Sequence, residues 1–330
     1  MNKENFAKVP EFKKKLTGSF WGLTTFFNPL SYKNKIKNYK IFRECSKRQG
    51  LKLLTVELAY GNMPFELDRD DADILIRLRT EKDNIFWQRE RLLNIGLKHL
   101  PKDCDKIAWV DCDIIFANDN WVKETSELLN KYNVVQPFSV SVKLSKNKKP
   151  NEISLDKIEF GELENQKRHS VGYKFQEKGD YNSGRPGMAW AARKEIFEDI
   201  GFYDKLILGS GDISNISAFC NYKKIISHFP EKILNDMESW KDEIYKRVKK
   251  SISYTPGILF HLWHGDIKDR KYKDRHLLLK KYSFNPKEDI KKDENEVLVW
   301  ASNKLRMHKA IKRYFKKRNE EGNILLRWLG

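Results

Sequence analysis

The chain has 330 residues, 64 Lys and Arg against 46 Asp and Glu, a formal net charge of +18, and 40% hydrophobic and 12% aromatic residues. This suits one large α/β domain with an appendage, or two domains. No apolar stretch reaches the roughly 18–20 residues of a membrane span, and the polar N-terminus lacks the apolar core of a signal peptide. Cys45, Cys104, Cys112 and Cys220 show no CxxC spacing, which argues against zinc and disulfides and for a reducing cytoplasm.

Residues 1–15 are polar and read as a flexible arm. Residues 20–27 are apolar, aromatic and threonine-rich, and stop at Asn28-Pro29, as a strand ending in a loop does. The run from Tyr39 to Cys45 reads as a helix that Gly50 stops, and residues 51–58 as a second strand. This β-α-β order predicts a parallel, doubly wound sheet. A short strand is expected over residues 73–78 and a helix over residues 86–100, closed by Pro101. The strand that ends at Asp111 and Asp113 follows.

Residues 120–132 read as a helix, and Val134-Val135 open another strand. Residues 143–152 are lysine-rich with Pro150, a surface loop. Gly161, Gly172, Gly179, Gly184 and Gly187 punctuate residues 160–187, an irregular stretch suited to a mobile substrate loop. A strand over 188–192, a helix over 193–200 stopped by Gly201, a helix over 214–221 and a last strand over 254–263 complete the series. From about residue 266 the chain turns basic. Helices are expected over 270–282 and 303–318, the latter with Met307, Ala310, Ile311 and Tyr314 on one face and Lys309, Lys312, Lys316 and Lys317 opposite. Residues 301–330 carry nine Lys and Arg against Glu320 and Glu321. The expected division is therefore an arm (1–15), an α/β domain (16–265) and a basic helical extension (266–330).

The sharpest chemical signal is Asp111-Cys112-Asp113 at the end of the apolar run 107–116. Two carboxylates at the end of a buried strand are costly to desolvate, and a bound cation offsets that cost. Hard divalent ions such as Mn²⁺ or Mg²⁺ take oxygen ligands and bridge to phosphates. A solvated strand end or a helix cap is the plainer alternative. Arg89 and Arg91 lie on the preceding helix, where guanidinium suits diphosphate recognition; helix-surface charge is the alternative for each. Thr25, Phe26 and Asn28 end the first strand, where open α/β sheets place a nucleotide. Asp212, in Gly-Ser-Gly-Asp, reads from the residues alone as the cap of a helix beginning at Ile213, in a tight turn.

Four segments stand in order: Phe86-Trp87-Gln88-Arg89-Glu90-Arg91-Leu92-Leu93-Asn94-Ile95-Gly96; the Asp111/Asp113 strand; residues 187–212, from Gly187-Met188-Ala189-Trp190 through Gly201-Phe202-Tyr203-Asp204 to Gly209-Ser210-Gly211-Asp212; and His261-Leu262-Trp263-His264-Gly265. Together they resemble the GT-A glycosyltransferases, in particular the β-1,4-galactosyltransferase-like and family 2-like branch, over roughly residues 20–265. The resemblance implies a Rossmann-like GT-A fold and metal-dependent transfer of a hexose from a UDP-sugar to a hydroxyl acceptor, with inversion. The acceptor it implies is a glycan or surface polysaccharide. Asp113 would ligate Mn²⁺ or Mg²⁺, with His264 and His261 as later ligands; structural histidines are the alternative. Asp111 would support the metal shell or the ribose. Trp87 would pack on the nucleobase, Asn94 matches an asparagine of the motif, and Asp212 would deprotonate the acceptor. The sequence departs from the family pattern in having Asp212-Ile213-Ser214 where a run of carboxylates is usual.

The positive balance leaves the acceptor open. The basic C-terminal region suits an anionic membrane surface, which would make a cytoplasmic enzyme peripheral. It equally suits nucleic acid, either as a DNA substrate carrying modified bases or as the partner of a non-enzymatic binding protein, though no recognised nucleic-acid-binding motif is present. Charge spread over solvated faces is the plainer reading.

Overall fold

The computed structural model describes residues 15–146, 167–270 and 275–322. The expected arm lies outside them, as do most of the lysine-rich loop, residues 160–166, residues 271–274 and the last eight residues. The first strand, β1 (Ser19–Phe27), is followed by helix α1 (Lys33–Arg48) and strand β2 (Lys52–Tyr60). Strand β3 (Ile74–Thr80), helix α2 (Arg89–Lys98) and strand β4 (Cys104–Val110) come next. Strands β4, β1, β2 and β3 pair with one another in parallel, because each crossover carries chain back across a sheet face. The mostly buried runs of β1, β2 and β4 are what a sheet covered on both faces demands, while β3, at the edge, carries Arg77 and Arg79.

The sheet is not wholly parallel. Strand β9 (Ala189–Arg193) runs antiparallel between β4 and β6 (Val134–Gln136), with Trp109 opposite Trp190. Strand β10 (Ile252–Tyr254) then pairs with β6 in parallel, giving a seven-stranded order β10-β6-β9-β4-β1-β2-β3. The doubly wound expectation thus becomes a mixed α/β sheet. A second sheet, β5-β11-β7-β8, is built from β5 (Ile114–Phe116), β7 (Val140–Lys143), β8 (Lys167–His169) and β11 (Ile258–His261). It begins one residue after Asp113, so the carboxylates sit at the seam between the two sheets.

Several expectations shift. The helix expected over 193–200 is a single 3₁₀ turn, Lys194–Ile196, because the chain bends to bury Phe197 and Phe202. Their rings stack at 4.3 Å and lie 5.3 and 5.0 Å from Trp109. Within the stretch read as an irregular loop, Val171–Lys178 is a helix (α4), capped by Ser170 and ended by Gly179 at φ 64°. Helix α3 spans Trp121–Leu128, and α5 spans Gly211–Cys220. One long helix is unanticipated: α6 (Glu231–Val248) buries Ile233, Met237, Ile244 and Val248 on one face.

The C-terminal stretch is not a separate appendage. Helix α7 (Arg275–Lys281), the antiparallel pair β12 (Ile290–Lys292) and β13 (Leu298–Trp300), and helix α8 (Leu305–Lys317) pack on the main domain. Met307, Ile311, Tyr314 and Phe315 belong to the same hydrophobic core as Leu23, Leu54 and Leu92. The buried Gln88 amide stitches β13 in place, donating to the Leu298 carbonyl at 2.8 Å and accepting from the Leu298 N–H at 3.3 Å. No helix among the described residues is long and apolar enough to cross a membrane.

Candidate active site

The end of β4 and the start of β5 open onto a cleft of about 450 Å³. Antiparallel pairing sets His261 of β11 opposite Ile114, and the Leu262 N–H donates to the Asp113 carbonyl at 2.8 Å. That register brings two imidazoles to one carboxylate. His261 Nε2 lies 3.5 Å from Asp113 Oδ1, and His264 Nδ1 lies 3.1 Å from Asp113 Oδ2. Ligand atoms of the three residues all lie within 4.8 Å of one another. Burial and the nearby Arg270 push His264 well below its ordinary pKa, so its ring is neutral and keeps a lone pair. Against burial, His264, His261 and Arg270 hold Asp113 well below the usual carboxylate range. An ionised carboxylate and imidazole nitrogens form a donor set that fits a divalent ion of Mn²⁺ type. Arg270 crowds the same ring, with Nη2 2.5 and 2.7 Å from the two ring nitrogens of His264.

A second cluster lies beside the first. Arg89, at the start of α2 and 6% exposed, directs Nη2 to Asp111 at 2.9 Å and Nη1 to Glu90 at 3.1 Å and Asp212 at 3.4 Å. One guanidinium thus serves three carboxylates, each drawn from a short segment of different origin. Burial pushes Asp111 and Glu90 upward, against the pull of Arg89. Asp212 is pushed up to about 7 by burial, with Asp111 and Glu90 adding to the effect and Arg89 opposing it. Glycines make the close approach possible. A Cβ on Gly211 would lie 2.1 Å from Glu90 Oε1, and one on Gly187 would lie 2.4 Å from Asp212 Oδ2. Asp212 occupies the first turn of α5, so the capping and base readings of this residue share one location.

Thr25, Trp87, Arg89, Asp111, Asp113, Asp212, His261 and His264 all line the cleft. Trp87 meets Phe27 edge-on at 5.4 Å and donates its indole N–H to Glu90 at 3.0 Å. Four expected site residues face elsewhere. Strand alternation turns Phe26 away from Thr25 into a separate core with Tyr39 and Leu67. Asn28 ties its own turn, accepting from the Tyr32 N–H at 2.9 Å and donating to the Tyr32 carbonyl at 3.0 Å. Arg91, two residues from Arg89 and so on another face of α2, pairs with Asp204 at 2.8 Å. Asn94 holds the backbone of Phe202 by two hydrogen bonds, at 2.7 and 2.9 Å. Arg91 and Asn94 therefore brace the chain that leads to Asp212.

The cleft also recruits residues with no sequence signal of their own: Glu90, Lys35, Lys143, Arg168, Arg185, Arg318 and Glu320. Arg318, just past α8, lies 5.1 Å from the Trp87 ring centre. Against burial, Lys35, Arg318 and Arg270 hold Glu320 at about 2. The C-terminal stretch thus completes one wall of the cleft. Only Glu90 could have been suspected, from its place beside Arg89.

No protein-family model matches the chain, and no curated protein sequence matches it. Among solved structures, matches are found to GT-A glycosyltransferases at low sequence identity. S. aureus TarS is 10% identical with a TM-score of 0.39, over 92% of this chain and 44% of that one, so this chain spans less than half of TarS. Glucosyl-3-phosphoglycerate synthase from Mycobacterium tuberculosis, in complex with Mn²⁺, UDP-glucose and phosphoglyceric acid, is 10% identical with a TM-score of 0.42, over 86% of each chain. A further mycobacterial protein is 12% identical with a TM-score of 0.42, over 87% of this chain and 84% of that one.

Proposed function

We propose that the protein is a metal-dependent glycosyltransferase that moves a hexose from a UDP-sugar to a hydroxyl acceptor with inversion. The observation that carries this reading is the juxtaposition of two differently tuned sites in one cleft. One is a cation-binding set, Asp113, His261 and His264. The other is a carboxylate, Asp212, raised to about 7 beside a fully engaged arginine.

Asp113, His261 and His264 would hold Mn²⁺ or Mg²⁺, which when bound neutralises charge on the leaving diphosphate. Arg89 fixes Asp111 and Asp212 relative to each other and places positive charge between them. Thr25 and Trp87 line the wall near β1 and suit the nucleoside. Asp212 takes the proton from the acceptor hydroxyl as its oxygen attacks the anomeric carbon. A carboxylate near 7 is a stronger base than a solvated one, yet is still largely ionised just above neutrality. A base on the face opposite the leaving diphosphate makes the reaction a single displacement, which inverts the anomeric centre.

The test is UDP release from a panel of UDP-sugars, with Mn²⁺ and with EDTA, in the absence of acceptor. Metal-dependent release from one donor is expected. No release from any donor, together with no UDP binding by calorimetry, would overturn the reading and favour a nucleic-acid-binding role for the basic surface, read by strongly salt-dependent DNA binding.

A further inference from the structure

We propose that the acceptor is anionic, and that Lys143, Arg168 and Arg185 receive its phosphate or carboxylate group. The inference rests on the glycosyltransferase reading above and names the substrate class of that site. It comes from the second sheet. Cross-strand partners share a face of a sheet. Lys143 of β7 pairs with the metal-site residue His261 of β11, and Ser141, two residues earlier on the same face of β7, pairs with Arg168 of β8. Arg185 joins them from the next loop. Its Nε donates to Ser141 Oγ at 3.4 Å, and its backbone is pinned to β8 by an N–H donated to the His169 carbonyl at 2.7 Å. The Gln136 amide holds the Arg185 carbonyl at 2.9 Å. All three cations line the same cleft as Asp113 and Asp212.

This row of charge runs from the metal site toward the base. Gly187, two residues after Arg185, abuts the Asp212 carboxylate, so the two backbones are separated by no more than about 7 Å. The cations on the other wall already share a carboxylate: Lys35 and Arg318 face Glu320 at 3.9 and 2.8 Å. Neither Lys143 nor Arg168 has an ion-pair partner among the described residues. Paired guanidinium groups match the planar oxygens of phosphate and carboxylate. An acceptor seated with its hydroxyl at Asp212 thus meets this row with its acidic group.

The experiment uses the full chain saturated with UDP and Mg²⁺, titrated by calorimetry with glycerol phosphate, with glucuronate and with glycerol. We expect at least one anion to bind while UDP is in place and glycerol not to bind. Whichever anion binds more tightly distinguishes a phosphate-bearing from a uronate-bearing acceptor. Arg168→Gln, at an exposed side chain, should weaken that anion at least tenfold and leave UDP affinity within twofold; Lys143→Gln serves as a second variant. If neither anion binds beside UDP, or if Arg168→Gln weakens UDP as much as the anion, the row serves the donor diphosphate and the proposal is overturned. Failure of UDP itself to bind with metal marks failure of the glycosyltransferase reading, and the acceptor assignment falls with it.

Discussion

Nη1 of Arg89 lies 3.4 Å from Oδ1 of Asp212, a contact that ties helix α2 to the first turn of α5 across the cleft. The same guanidinium holds Asp111 at 2.9 Å through its other nitrogen. A forked, always-charged group is needed for both. Arg89→Lys should therefore reduce transfer by roughly 100-fold or more, as loss of an aligned charged donor does at other sites. Arg89→Met leaves the buried Glu90 and the half-buried Asp111 and Asp212 without their cation and should cost on the order of 3 kcal/mol. Steady-state kinetics and urea unfolding measure the two effects. An Arg89→Lys variant with full activity would show that the fork has no role in transfer.

Asp212 predicts opposite pH trends for rate and stability. A base must be ionised to accept a proton, so transfer should rise with pH and level off above about 7. Its folded-state pKa lies above the unfolded carboxylate value of about 3.9. Between those values the folded chain binds the additional proton, so the contribution of Asp212 to stability is lost as pH rises toward 7. Asp212→Asn should abolish transfer while sparing UDP binding, and should raise Tm by about 2 °C at pH 8 with a smaller gain at pH 5. A rate that is flat from pH 5 to 9, or activity surviving in the variant, removes Asp212 from the role of base.

His264→Ala and Asp113→Asn each delete a donor from the cation set. Each should weaken Mn²⁺ binding by about 100-fold or more, since loss of a group merely supporting a ligand already costs about 10–100-fold. The imidazole donors favour Mn²⁺ over Mg²⁺. Electron paramagnetic resonance titration of Mn²⁺ reads the affinity directly. Undiminished activity in EDTA would be incompatible with a metal-assisted leaving group.

Met307 is fully buried in α8 against the main core. Met307→Ala should cost about 2–5 kcal/mol, and the variant should still unfold in one transition. A separate, early transition for the C-terminal stretch would show that residues 266–330 form an independent unit after all.

Much of the candidate site was legible in the residues because local chemistry announces itself. Asp111 and Asp113 end an apolar strand, Trp87 and Arg89 open an amphipathic helix, and Asp212 follows two glycines with one residue between them. Phe26, Asn28, Arg91 and Asn94 carried the same local signals but face away from the cleft. Which side a residue faces depends on the register of neighbouring elements, and that is set by packing. The C-terminal basic stretch misled for a related reason. Its charges are plain in the sequence, but the partner of its apolar face is not.

The sequence by itself determined the alternation of strands and helices, the apolar runs that make a covered sheet, and the identity of the groups able to hold a cation or take a proton. These follow from side-chain period, turn residues and functional-group chemistry, all local. Tertiary structure alone decided that β9 runs antiparallel and that pairing of β11 with β5 delivers His261 and His264 to Asp113. It also decided that Glu90 shares an arginine with Asp212, and that Lys143, Arg168 and Arg185 form one row. Each of these joins residues far apart in the chain, and such contacts form only where the packing of a whole core selects one register over its alternatives.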